Sequence, residues 1–215
     1  MKKFPKKFLF NTNFIFSFEK KWKQFKKIVD NFKDIKSFEY IWFFKQAFYV
    51  NKKKTWKINS DEGGGLINYY LPHAIFNILY NFRNVKFYKI KKKVYKDKKL
   101  IFLEIVFLFN KNYSTLKICN NAQINLHSLN FNCSKVNYSL INRSKDWLSG
   151  FKIFKFKKEI FKTKKNFKRE DSRYYVLFDI YSKLQFYFNT KNIETNKNLT
   201  YKTFELINII NKNIR

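Results

Sequence analysis

The segment 100–109, LIFLEIVFLF, constrains the fold more than any other part of the chain, because Glu104 is its only polar residue. A short apolar run without polar alternation is typical of a strand that is buried on both faces. We therefore predict that 100–109 is a central strand of a sheet. Val85 and Phe87 begin a preceding strand, and a turn at 110–112 leads into a following strand over 115–119.

Other segments show the three-to-four-residue spacing of amphipathic helices. The clearest is 18–35, where Trp22, Phe25 and Val29 fall on one face. The aromatic stretch 38–50 is predicted to continue as helix, and Asn68 or Pro72 to open a short helix that ends near Phe82. A last helix presents an apolar face formed by Phe204, Ile207, Ile210 and Ile214.

The remaining segments have weaker patterns. Alternate residues are apolar over 8–18, which suggests a strand or an extended arm, and 51–65 is typical of a loop. We interpret 120–146 as short strands and loops. The segment 151–169 fits neither period, and 173–188 suggests a bent strand or a hairpin.

The order of these elements predicts an α+β fold, with a mixed or mostly antiparallel sheet packed by a few aromatic-rich helices and with basic extended arms. No sharp change of composition marks a domain boundary. We divide the chain into a basic N-terminal arm with helices and a loop over 1–65, and an α+β body over 66–215. A single domain is also compatible with the length of 215 residues.

Charge is the strongest indication of function. The chain has 46 Lys and Arg residues against 15 Asp and Glu, a net charge of +31, whereas a small soluble domain typically has about 2–8 charges. Such a chain repels itself unless a polyanion neutralises it. Lysine gives sequence-independent contacts to phosphate, and an exposed ring can stack on unpaired bases. The predicted RNA-binding residues are Lys2, Lys3, Lys6, Lys7, Lys20, Lys23, Lys27, Lys52, Lys53, Lys54, Trp56, Lys91, Lys92, Lys93, Lys96, Lys155, Lys157, Lys158, Lys164, Lys165, Lys168 and Arg169.

Few residues suggest catalysis or metal binding. His73 lies in an apolar helical context, where a packing or capping role is more common than catalysis. His127, Cys119 and Cys133 lack the close ligand pair that is typical of zinc sites, so neither a metal nor a cofactor is predicted. Two cysteines set no disulfide framework, and a reducing compartment is the default.

The segment Asp61–Gly65 holds three of the four glycines in the chain. It matches no phosphate-binding glycine motif. A loop laid tightly against a nucleic acid backbone or a neighbouring protein and a flexible linker are equally compatible with it. The uncharged stretch 63–82 has the length of a membrane span, but its glycines, asparagines, Pro72 and His73 argue against a stable span. The interrupted apolar start of the chain does not indicate a secretory signal.

Lysine, Phe, Asn, Ile and Tyr dominate, while Ala, Gly, Pro and Arg are rare, which indicates an A+T-rich genome. In composition and layout the chain resembles organelle-encoded ribosomal proteins of A+T-rich mitochondria. That resemblance implies a structural, non-enzymatic constituent of the mitochondrial ribosome in the matrix, with weak preference for the small subunit. Its partners would be rRNA and neighbouring ribosomal proteins, with no small-molecule substrate.

Two alternatives stay open. The first is an accessory subunit of a mitochondrial respiratory-chain or ATP synthase complex, with its lysines facing anionic lipid. The second is an enzyme that acts on nucleic acid, such as an intron-encoded nuclease, although no cluster of metal-binding carboxylates supports it.

Overall fold

The computed structural model describes residues 15–46, 49–50, 55–144, 150–162, 177–178, 181–182 and 197–214. Within this part of the chain, one eight-stranded sheet has the order β2-β3-β4-β1-β5-β6-β7-β8. The strands are β1 (Ser37–Lys45), β2 (Lys86–Lys96), β3 (Lys99–Phe109), β4 (Asn112–Cys119), β5 (Asn121–Asn132), β6 (Asn137–Asn142), β7 (Lys152–Lys155) and β8 (Lys158–Ile160).

The first strand lies in the middle of the sheet. It pairs in parallel with β4, Glu39 opposite Thr115, and antiparallel with β5, Tyr40 opposite Leu129. Every other neighbouring pair in the sheet is antiparallel. The sheet is therefore mixed and mostly antiparallel, and the predicted α+β class is confirmed.

Three α-helices accompany the sheet: α1 (Lys20–Asp30), α2 (Leu71–Asn81) and α3 (Lys197–Ile214). The Glu19 carboxylate caps α1 by accepting a hydrogen bond of 2.9 Å from the backbone N–H of Trp22. Burial of Glu19 raises its pKa to about 7 despite this bond. The cap satisfies one of the backbone donors left open at a helix start.

The helices cover one face of the sheet. Alternate residues of β1 point to this face, and Phe38, Tyr40 and Trp42 are all buried there. The Phe38 ring stacks on Phe82 at the end of α2, with a centroid distance of 4.5 Å. Trp22 of α1 packs at 6.3 Å from Tyr40. The core is therefore an aromatic layer between sheet and helices.

The predicted helix over 38–50 is wrong, because 37–45 is the strand β1. Its aromatic residues at 38, 40 and 42 share one face of a strand, and pairing with β4 and β5 satisfies its backbone on both sides. The predicted short strands over 120–146 are also partly wrong, because β5 runs for 12 residues. The unassigned segment 151–169 contains the β7–β8 hairpin.

The predicted strand over 100–109 corresponds to β3, and residues 103–107 are all buried. It lies second from the edge of the sheet rather than at its centre. Glu104, on the face away from the helices, is buried between lysines: its carboxylate accepts a hydrogen bond of 3.0 Å from Lys91, and Lys117 is its partner on β4. A strand can therefore be buried on both of its faces although helices cover only one face of the sheet.

The helices predicted over 18–35, from Pro72 to Phe82 and at the C-terminal end are confirmed as α1, α2 and α3. Phe204 is an exception on the last helix, since it is exposed while Ile207 and Ile210 are buried. No helix of the described segments is long and apolar enough to cross a membrane. The arm over 1–14 and most of 173–188 lie outside the described residues, and residues 15–18 form a 3₁₀ turn.

Candidate functional site

The glycine segment 63–65 is a tightly packed loop. A Cβ atom on Gly64 would lie 2.1 Å from the Trp56 carbonyl oxygen, so only glycine fits there. The Gly64 N–H donates a hydrogen bond of 2.7 Å to the Asn59 carbonyl. Gly65 has φ +80°, a conformation that glycine adopts without strain. Gly64 thus approaches the backbone of this same chain, which is neither of the partners considered from the sequence, nucleic acid or a neighbouring protein.

The loop leads directly into a π-helical turn, Leu66–Tyr70, which continues as α2. Single π turns are rare and often occur at functional sites. Pro72 stands in the first turn of α2, where its missing N–H costs nothing. This sequence of turns places His73 in the first turn of the helix.

His73 is a partly exposed imidazole among aromatic rings. Its ring centroid lies 6.3 Å from that of Phe16, 6.5 Å from Trp42 and 6.2 Å from Tyr69. This burial lowers the pKa of His73 to about 4. His73 is therefore neutral at pH 7, and its Nδ1 atom is buried.

Aromatic side chains extend from His73 toward solvent. Tyr69 packs edge-on against Trp56 at 5.3 Å, and half of the Trp56 surface is exposed. The Lys57 ammonium lies 5.2 Å from the Tyr69 ring centroid. We call Trp56, Tyr69 and His73 the aromatic rim. Flat apolar rings beside one neutral imidazole suit an uncharged ligand that has both hydroxyl groups and C–H faces.

His127, the second histidine, has a different environment. Its Nε2 lies 2.6 Å from the Tyr40 hydroxyl, which also accepts a hydrogen bond of 3.3 Å from the Asn77 amide. The ring stacks on Trp42 at 5.0 Å and is 4% exposed. Burial lowers its pKa to about 3 and raises the pKa of Tyr40. With no access to solvent, this polar triad of Tyr40, Asn77 and His127 holds β1, α2 and β5 together.

The described residues contain no group of three His, Cys, Asp or Glu side chains placed to hold a metal ion. Cys119, at the end of β4, and Cys133, in the connection between β5 and β6, are free thiols. Burial and the neighbouring Asp34 carboxylate raise the pKa of Cys133 to about 11, so it is a thiol at pH 7.

A cavity of about 310 Å³ lies on the other side of the glycine loop. The loop, the β2–β3 hairpin, the β4–β5 connection and the last turn of α3 form its walls. Carboxamide groups and two lysines line it, and His73 does not reach it. The segment 63–73 therefore separates two distinct polar features, the cavity and the aromatic rim.

The described members of the predicted RNA-binding set lie on several different elements. Lys91, Lys92, Lys93 and Lys96 lie on β2, while Lys155, Lys157 and Lys158 lie on the β7–β8 hairpin. These are the two edges of the sheet. Lysines on edge strands prevent the open backbone from pairing with another chain, which gives them a role in this fold without RNA.

The other predicted RNA-binding residues lie on other elements or outside the described residues. Lys20, Lys23 and Lys27 lie on α1, and Trp56 belongs to the aromatic rim. The Lys91 and Lys93 ammonium groups bind the Glu104 carboxylate and the Ile214 carbonyl. Outside the described residues lie Lys2, Lys3, Lys6, Lys7, Lys52, Lys53, Lys54, Lys164, Lys165, Lys168 and Arg169.

No protein-family model matches the chain, and no curated protein is significantly similar to it in sequence. Solved structures do match its fold. An oxidoreductase from Thermotoga maritima is 14% identical, with a TM-score of 0.69 over 95% of this chain and 59% of the other. An aldose-aldose oxidoreductase from Caulobacter crescentus, complexed with glycerol, is 11% identical, with a TM-score of 0.66 over 92% and 59%.

The 3-ketoreductase KijD10 from Actinomadura kijaniata, in complex with TDP-benzene and NADP, is 11% identical, with a TM-score of 0.61. The match covers 93% of this chain and 60% of KijD10. This chain thus spans about three fifths of the length of these structures. At such low identity the likeness establishes a shared fold.

These matches contradict the functional prediction made from the sequence. The matched proteins are described as oxidoreductases, two of them in complex with small molecules, and none of the three is a ribosomal protein. The expectations of a non-enzymatic ribosomal constituent, of rRNA and ribosomal proteins as partners, and of no small-molecule substrate are therefore wrong. An accessory subunit of a respiratory-chain or ATP synthase complex gains no support from these structures either.

Proposed function

We propose that this chain forms the substrate-binding part of an oxidoreductase that acts on a sugar-like hydroxyl or carbonyl compound. The observation that carries this proposal is the position of His73, a neutral and partly exposed imidazole beside the aromatic rim. His73 lies in a fold that this chain shares with an aldose-aldose oxidoreductase and a ketoreductase. Oxidation of an alcohol requires a group that accepts the hydroxyl proton, and a neutral imidazole does so.

The aromatic rim supports the same substrate class. A pyranose or a polyol presents C–H groups that pack on aromatic rings and hydroxyl groups that need hydrogen-bond partners. Trp56 and Tyr69 offer the rings, and His73 offers the polar atom beside them. In this arrangement the neutral His73 ring lies where it can hydrogen-bond one substrate hydroxyl.

A nicotinamide dinucleotide, which KijD10 binds, does not fit the described residues of this chain. The glycine segment 63–65 follows a 3₁₀ turn rather than a strand, and it precedes a π turn rather than a regular helix start. It therefore lacks the strand–turn–helix geometry that binds a pyrophosphate. The cavity of about 310 Å³ is also at the lower limit of ligand pockets.

In this proposal, the nucleotide is bound by polypeptide that corresponds to the remaining part of the matched proteins. Fluorescence titration of NADPH into the 215-residue chain tests this division. We expect no saturable binding at high salt, where non-specific attraction to the +31 chain is screened. Saturable binding at high salt together with dehydrogenase activity of the chain alone would overturn the division of roles.

The substrate-binding role is tested by NMR of the two histidine Cε1–H groups. The chain has only His73 and His127, so two signals are expected, and His73→Asn identifies one by its loss. Titration with glucose, galactose and glycerol should shift the His73 signal in a saturable way. The buried His127 signal serves as the internal control and should not move. If no sugar or polyol shifts the His73 signal, the proposal is wrong.

A further inference from the structure

The cavity behind the glycine loop is a second site, separate from the aromatic rim. Its volume of about 310 Å³ is at the lower end of the roughly 300–1,000 Å³ range of ligand pockets. A ligand of monosaccharide size matches this volume, whereas a dinucleotide is too large. The glycine loop fixes one wall, because Gly64 lies against the Trp56 carbonyl and leaves no space for a side chain.

The cavity lining combines apolar side chains with carboxamides and two lysines. Lys98 and Lys99 lie on the β2–β3 hairpin at one side, and no carboxylate is among the described residues of the lining. Four carboxamides belong to the wall: Gln46, Asn68, Asn120 and Asn211. Carboxamides both donate to and accept from hydroxyl groups, and lysine ammonium groups bind phosphate.

A chain of hydrogen bonds fixes the orientation of two of these carboxamides. The Gln46 Nε2 group donates to the Lys57 carbonyl at 3.4 Å, and the Asn120 Nδ2 group donates to Gln46 Oε1 at 3.3 Å. A backbone carbonyl only accepts, so this chain of bonds runs in one direction. Asn120 Oδ1 is consequently left as a buried acceptor with no donor among the described residues.

Asn120 Oδ1 is buried as well as unpaired. Asn120 is 4% exposed, and a buried acceptor without a donor is destabilising. The Oδ1 atom has almost no accessible surface, so the carboxamide must turn toward the cavity before a ligand hydroxyl can donate to it. The Asp97 carboxylate in the hairpin turn is near enough to raise the pKa of Tyr49, so the hairpin contributes one negative charge against the two lysines. The local balance, like that of the whole chain, favours an anion.

We propose that this cavity binds a phosphorylated sugar or polyol of monosaccharide size, with the carboxamides contacting hydroxyl groups and Lys98 and Lys99 contacting the phosphate. The proposal does not depend on the oxidoreductase role, because it uses none of the rim residues. It assigns the chain a second ligand whose charge distinguishes it from the uncharged substrate expected at His73.

Isothermal titration calorimetry of the full chain at physiological ionic strength tests this site. The probes are glucose 6-phosphate, glucose and inorganic phosphate. We expect glucose 6-phosphate to bind most tightly. The variant Lys98→Gln should weaken it by about tenfold, because one hydrogen bond to a charged group is lost. The matched control is Lys135→Gln, which removes the same charge in the turn after β5, at the other end of that strand from Asn120.

A second variant protects the test against loss of folding. Asn120→Ala removes a buried carboxamide, so the fold of this variant is checked by circular dichroism. Asn211→Ala lies in the last turn of α3, where alanine favours the helix, and should weaken glucose 6-phosphate without loss of structure. Unaltered binding by both folded variants would overturn the proposed carboxamide contacts.

Three other results would also overturn the proposal. The first is no heat from any probe, and the second is inorganic phosphate binding as tightly as glucose 6-phosphate. The third is equal weakening by Lys98→Gln and Lys135→Gln, which would indicate attraction to net charge alone. A shift of the His73 signal by uncharged sugars, measured separately, would still support the proposed function in each of these cases.

Discussion

The Tyr40 hydroxyl lies 2.6 Å from Nε2 of His127 and joins β1 to β5 inside the aromatic core. The Asn77 amide donates a hydrogen bond to the same hydroxyl oxygen. One side chain from each of three elements thus meets in a site that solvent does not reach.

Replacing Tyr40 by Phe tests this triad. The ring is retained, but Nε2 of His127 loses its partner while buried, so the free energy of unfolding should fall by about 1–3 kcal/mol. Urea denaturation measures the change. Tyr138→Phe is the control, since Tyr138 is also a buried strand residue but lies outside the triad. An equal effect of the two variants would contradict the role of the Tyr40–His127 bond.

Both histidines should make the fold sensitive to mild acid. Burial lowers the pKa of His127 to about 3 and that of His73 to about 4, both below the unfolded value of about 6.5. Each is neutral in the folded state, so the unfolded chain binds more protons as the pH falls. Their contribution to stability is fully present above pH 6.5 and is lost progressively below it.

At pH 5 the loss from His127 alone should be about 2 kcal/mol relative to pH 7.5. Urea denaturation at the two pH values in high salt measures it, because salt screens the general repulsion of the +31 chain. Glu19 acts in the opposite direction, because its raised pKa of about 7 favours the folded state as the pH falls. The comparison is therefore made in a Glu19→Gln variant, where equal unfolding free energies at both pH values would show that the histidines are not held neutral by burial.

The glycine loop should tolerate Gly63→Ala much better than Gly64→Ala. Gly64→Ala places a Cβ at 2.1 Å from the Trp56 carbonyl, so the loop must move, at a cost of about 1–3 kcal/mol. Gly63→Ala meets no atom within 4 Å and carries only the strain of its φ of +81°. Thermal unfolding should rank Gly64→Ala as the more damaging. The opposite ranking would contradict the close packing of this loop.

The lysines of β2 should control solubility. The triple variant Lys86→Gln, Lys89→Gln and Lys96→Gln removes exposed charges from an edge strand, and we expect aggregation through strand pairing. The control Lys27→Gln, Lys135→Gln and Lys202→Gln removes the same charge from exposed positions elsewhere. Light scattering against concentration compares the two. Similar scattering would mean that total charge, rather than its position, keeps the chain soluble.

The three helices and the strands β2, β3 and β4 could be predicted from the sequence because their signals are local. The strand at 37–45 could not, because Tyr40, Phe44 and Phe48 have the spacing of a continuing helix. Pairing with β4 and β5 decides the matter, and those partners lie more than sixty residues away. Local pattern carries no information about such a distant partner.

The site was only partly predictable. The glycine cluster was visible, but the environment of His73 depends on Phe16 and Trp42, which come from other elements. The short sequence separation between the glycine cluster and His73 was the available signal for the site. The π turn that connects the two is visible only in the structure. The lysine clusters were real, but their places at the sheet edges required the strand order.

The place of β1 between β4 and β5 has a consequence for biosynthesis. Translation delivers 37–45 early, yet both flanking partners leave the ribosome only after 112–132 have been made. During that interval Phe38, Tyr40 and Trp42 have no sheet to join, and closure of a long chain loop must precede their docking. The aromatic side chains of β1 therefore stay exposed during synthesis, and we expect the nascent chain to bind chaperones that cover aromatic segments.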